Sequence, residues 1–76
     1  MYLAELDVGS TARVVSLDQV PELARKKLMV MGVLPDTCIE IVRLAPMGDP
    51  VQVRVRGFDV ALRKSLAAHI KVENND

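Results

Sequence analysis

The chain has 76 residues, half of them hydrophobic, with ten basic residues balanced by ten acidic ones. A chain of this size builds one small core, and with Tyr2 and Phe58 as its aromatics and no tryptophan, that core is aliphatic. Zero net charge takes away the counterion-release drive for nucleic acid. The shortage of aromatics takes away both the stacking platforms of single-strand binders and the lined groove of proline-peptide modules.

Cys38 stands alone, so no disulfide closes within the chain. The opening "MYLAELDVG" lacks the basic-then-apolar order of a signal peptide. No apolar run approaches the ~20 residues of a membrane span. The expectation is one cytoplasmic domain over residues 1–76, without direct membrane insertion and without nucleic acid. The balanced charge leaves little self-repulsion, which suits self-association.

In chain order, "YLAEL" places Tyr2, Ala4 and Leu6 on one side, and "VGST" reads as a turn. "ARVVSL", residues 12–17, is β-branched and apolar and predicts a strand. Asp18 stands where a helix cap would, ahead of Pro21 in a first helical turn. Residues 20–31 predict the one clear helix. Val20, Leu23, Ala24, Leu28 and Met31 form its apolar stripe, with Glu22, Arg25 and Lys26 opposite and Gly32 as a left-handed stop. Two residues break the pattern: Lys27 falls on the apolar stripe and Met29 on the polar face.

"VLPDT" is a turn, and "CIEIVRLA", residues 38–45, a strand. Glu40 and Arg43 cannot share one face of a regular strand that buries Ile39 and Ile41, so a bulge near Val42 is expected. "VQVRVR", residues 51–56, alternates with Val51, Val53 and Val55 inward. Gly57 turns the chain into "FDVALR". "KSLAAH" predicts a short helical turn near residues 64–68, "IKV", residues 70–72, a closing strand, and "VENND" a frayed tail. The sum is mainly β: about five strands, one inserted helix, and a sheet that hides its edges by curling into a small barrel.

No motif for chemistry emerges. A closed zinc site wants four Cys or His ligands, commonly in paired short spacings, and the chain has one Cys and one His, far apart. No G-x-S-x-G joins Ser10, Ser16, Ser65 or Cys38 to His69, and "MGDP" lacks the phosphate-loop spacing and precedes a strand. The reading is a non-enzyme with no catalytic, cofactor or metal residues, leaving a protein-binding module.

The order of pieces closely resembles the ferrous iron transport protein A family, FeoA, from about residue 3 to residue 72. The likeness rests on Leu3, Glu5, Leu6 and Gly9. It continues through the helix end at Leu28, Met31, Gly32 and Pro35, then Arg43, Ala45, Pro46, Gly48, Asp49 and Pro50. It closes on Ala61, Leu62, Arg63, Ala67, Ile70 and Val72. The resemblance implies an SH3-like barrel. It also implies a cytoplasmic accessory protein of the FeoB ferrous iron transporter, acting by contact. Asp36 departs from the family's usual Gly, and Leu66 from its frequent acidic residue. The same module ends iron-dependent repressors, so the alternative is a metal-responsive module bridged through His69 or Cys38. Since residue 1 is Met and no DNA-binding domain is attached, a free-standing protein is expected.

Pro46 and Pro50 each end regular strand pairing, Gly48 permits positive φ, and Asp49 can bond nearby backbone. The result is a stiff corner with a rim that can dock a partner. The expected partner surface joins Lys27, Leu28, Met29, Val33 and Leu34 of the helix and its exit to Pro46, Met47, Gly48 and Asp49 of this loop.

Overall fold

The computed structural model describes residues 1–74. Five antiparallel strands form one sheet in the order β4-β3-β2-β1-β5: β1 Thr11–Ser16, β2 Cys38–Leu44, β3 Val51–Val55, β4 Phe58–Leu62 and β5 Lys71–Asn74. Two α-helices, α1 Glu22–Val30 and α2 Lys64–Ala67, lie between strands, and a 3-10 turn spans Leu3–Glu5. The sheet bends until its inner residues meet. Ala12 and Val14 of β1, Ile39 and Ile41 of β2, Val51, Val53 and Val55 of β3, Leu62 of β4 and Val72 of β5 share one buried cluster. The nearly equal dimensions of 28 × 26 × 23 Å fit a strongly curled sheet.

The alternation of β3 behaves as expected, with Val51, Val53 and Val55 all buried. The β2–β3 register shifts between Ile41 and Arg43, so the bulge falls at Val42 and lets Glu40 and Arg43 coexist with a buried Ile39 and Ile41. A second register shift falls between Val14 and Ser16 of β1, and beyond it the buried residue is Leu17, not Ser16. Arg56 (φ 53°) and Gly57 (φ 83°) form the two-residue turn joining β3 to β4. Positive φ at both central positions matches the twist of the strands.

Three local expectations change. Residues 2–6 are not extended: the turn at Leu3–Glu5 buries Leu3, not Tyr2, and Glu5 Oε1 accepts the Tyr2 N–H at 3.1 Å. Asp18 caps nothing. Its N–H donates to Ser16 Oγ at 3.0 Å, and Pro21 precedes the first helical residue, Glu22. The chain end is ordered further than its polar composition suggests, with Ala12, Arg13 and Val14 opposite Asn74, Glu73 and Val72. Asn75 and Asp76 of the expected tail lie outside the described residues.

Candidate interaction surface

α1 carries the residues that composition leaves for contact. Its exit is a Schellman closure around Gly32 (φ 93°): the Gly32 N–H donates to the Met29 carbonyl at 3.1 Å and the Val33 N–H to the Leu28 carbonyl at 2.9 Å. This geometry brings the side chain after the glycine against the one three residues before the cap. Those two side chains, Val33 and Leu28, are fully buried in the core. Both were expected on the partner surface, and the helix stop itself removes them from it. Leu34 is half-buried. Lys27 and Met29 remain exposed as expected.

The stripe at helical spacing is split. Val20 and Leu28 are buried and Ala24 partly so, whereas Leu23 is 78% exposed and Met31 also faces out. Val30, which the periodicity did not single out, is 88% exposed. Leu23 and Val30 are about two turns apart on one line of the helix, with Lys27 beside them. Lys26, Lys27, Val30 and Met31 line a shallow apolar depression. The lysine stems supply apolar wall while their ammonium groups rim it. Lys26 pairs with Glu22 at 3.8 Å, and no ion pair among the described residues involves Lys27. Arg25 is not on a free polar face. It is half-buried, and its Nη2 donates to the Val20 carbonyl at 3.4 Å.

The loop between β2 and β3 is fastened at both levels. The Gly48 N–H donates to the Ala45 carbonyl at 2.7 Å, closing a turn led by Pro46, and the Ala45 N–H to the Pro50 carbonyl at 3.1 Å. Gly48 has φ 80° and the Asp49–Pro50 peptide is cis. Asp49 Oδ1 accepts the Lys64 backbone N–H at 2.9 Å, which ties the loop to the first residue of α2. Met47 stands at the tip, 90% exposed.

The two halves of the expected surface do not meet at the helix exit. A Cβ on Gly32 would lie 3.4 Å from Arg56 Cδ, so the end of α1 sits at the turn after β3, while the loop of residues 45–50 precedes β3. A five-residue strand separates the two by about 17 Å. The start of α1 is nearer the loop. Pro21 and Ala24 line a groove with Arg63, Leu66 and His69, and Arg63 also borders Asp49 and Pro50. Leu66 is half-buried against the core.

Arg54 of β3 and Arg56 of the turn after it make no continuous basic strip. Arg54 Nε reaches Asp59 Oδ1 at 2.8 Å, and Arg56 is taken up by the turn beside Gly32. Among the described residues, no group of three or more His, Cys, Asp or Glu side chains converges on a metal-sized space. Nor is any helix there long and apolar enough to cross a membrane.

The FeoA domain profile matches residues 1–74. This chain belongs to the FeoA domain family. It is 37% identical over 73 residues to the Fe(2+) transport protein A/Fe(2+) transporter FeoB fusion protein of Porphyromonas gingivalis (strain ATCC BAA-308 / W83). That match takes in 96% of this chain and only 8% of the fusion's length. The solution structure of the FeoA protein from Chlorobium tepidum superposes with a TM-score of 0.95 at 32% identity, over 100% of this chain and 71% of that one. The zinc complex of Stenotrophomonas maltophilia FeoA, described as an SH3 domain protein, superposes at 0.83 with 28% identity, over 96% and 89% of the two chains. The fold is therefore the SH3-like one of FeoA proteins: mainly β, five antiparallel strands and two short helices.

Proposed function

We propose that this chain is a cytoplasmic accessory protein of ferrous-iron uptake that docks on an FeoB-type transporter through the outer face of α1 and performs no bond chemistry itself. The carrying observation is the exposure of Leu23 and Val30 on one line of the helix, beside Met31 and the stems of Lys26 and Lys27. Such a face gains nothing from water, and apolar surface rimmed by ammonium groups fits an apolar partner patch with acidic borders. The transporter is the occupant the relatives favour. In P. gingivalis a related domain and FeoB share one polypeptide, and linkage in one chain holds two modules at high effective concentration. Met47 and the loop of Pro46, Gly48 and Asp49, held rigid by Lys64, suit a second contact near the start of α1 at little ordering cost.

Co-purification with an FeoB-type transporter tests this reading. Val30→Asp should keep the circular dichroism of the parent and lose capture of the transporter. Undiminished capture by the folded variant would rule out this face.

A further inference from the structure

The two margins of the sheet are treated differently. Beyond β5, the Val72 N–H donates to the Met1 carbonyl at 2.9 Å, the Leu3 N–H to the Ile70 carbonyl at 2.9 Å, and Tyr2 bridges Lys71. That margin is covered by the chain's own start. At the other margin, β4 pairs with β3 alone, and no other described element runs alongside it. The closing pair of the hairpin is Val55 opposite Phe58, followed by Val53 opposite Val60 and Val51 opposite Leu62. In a two-residue hairpin these are the hydrogen-bonded pairs, so the N–H and C=O groups of Asp59 and Ala61 point to the open side.

Open edges are ordinarily blunted by proline, bulges or charge. β4 has no proline, and its register with β3 has no shift. Its one charge, Asp59, is occupied within the chain by Arg54 at 2.8 Å and by Gln52 Nε2 at 3.1 Å. Phe58, 72% exposed, extends the inner apolar row of Val60 and Leu62 past the covered core.

We propose that β4 pairs antiparallel with β4 of a second copy of this chain, about a two-fold axis at Val60. The strand is self-complementary in that register. Phe58 meets Leu62 of the second copy and Val60 meets Val60 on the inner face. Asp59 and Ala61 exchange backbone hydrogen bonds, twice by symmetry. Centring the axis on Asp59 instead would set two carboxylates directly opposite, which is unfavourable. Centring it on Ala61 would run Phe58 into Lys64, where the strand has given way to α2. The zero net charge of the chain opposes none of this. A five-residue edge contact is small against the ~1,200 Å² of stable interfaces, so the dimer is weak and concentration-dependent.

Sedimentation equilibrium over a wide concentration range, with amide exchange at the two ends of that range, tests the pairing on the intact chain. The expected result is a monomer–dimer equilibrium in which the Asp59 and Ala61 amides gain protection as concentration rises. Ala61→Asp sets a carboxylate opposite Asp59 at both ends and should weaken the dimer roughly fivefold to tenfold. Ala61→Lys should tighten it by a similar factor. Ala61→Pro, tolerated where the N–H faces outward, should abolish the dimer without adding charge. A monomer at every concentration overturns the proposal. So does a dimer affected alike by both charged variants, or one whose protection gain falls outside β4.

Discussion

The Lys64 backbone N–H donates to Asp49 Oδ1 at 2.9 Å across fifteen positions of sequence. The proline-bracketed loop therefore caps α2, the short helix on which Ala67 enters the core. The bond resembles an N-cap supplied from outside the helix. Asp49→Ala should cost about 1 kcal/mol, and Asp49→Asn, which keeps an acceptor, clearly less. Urea unfolding of the three proteins measures both, and equal stability of all three would show that the loop is held by its prolines alone.

Asp36 holds a backbone conformation that ordinarily favours glycine. Its φ is 70°, in the left-handed region, and its carboxylate pairs with Arg13, which also reaches Glu73 at 2.9 Å. Asp36→Gly removes the ion pair and relieves the backbone, whereas Asp36→Ala removes the pair and keeps the strain. The Ala variant should be less stable than the Gly variant by about 1 kcal/mol. Thermal unfolding checks the order, and an Ala variant as stable as the Gly variant would contradict it.

Much of this fold is written locally. Val51, Val53 and Val55 announce their strand because alternation needs no partner to be read. The misfit of Glu40 and Arg43 places the bulge at Val42 for the same reason. The loop's tie to Lys64 was hidden because both ends are unremarkable in their own neighbourhoods. The helix misled for a different reason. Apolar residues wrap more than half of α1, and periodicity finds the apolar arc without saying which part faces inward. Ala24 and Leu28 do, with Val20 just ahead of the helix, while Leu23 and, at the C-cap, Met31 stay outside. The burial of Leu28 and Val33 was nevertheless available from Gly32, whose Schellman stop pairs those two positions.

That division of α1 has a stability consequence. Leu28→Ala should cost about 2–5 kcal/mol, because it opens a cavity beneath the helix. Val30→Ala should lie within about 0.5 kcal/mol of the parent. Paired denaturant titrations measure the contrast, and similar costs at the two positions would contradict the observed orientation of the helix.

Asp59 gives the acid response a local contributor. Hydrogen bonding from Arg54 holds its carboxyl below the ordinary range; partial desolvation opposes this, and the charge of Arg54 and a bond from Gln52 add to it. A depressed carboxyl takes up its proton later than in the unfolded chain. Its contribution is therefore complete above the ordinary value of about 3.9 and is lost as pH falls through the lower folded value. Asp59→Asn should show a shallower loss of Tm than the parent below about pH 4. Parallel Tm curves would contradict the pairing.

The proposed docking of the outer face of α1 on the transporter makes capture depend on that face staying apolar. Capture of a detergent-solubilised FeoB-type transporter by immobilised parent protein and by Val30→Asp, at matched folded concentration, tests it most directly. Retention by the parent and loss of retention by the folded variant is the predicted result. Equal retention by both would contradict it.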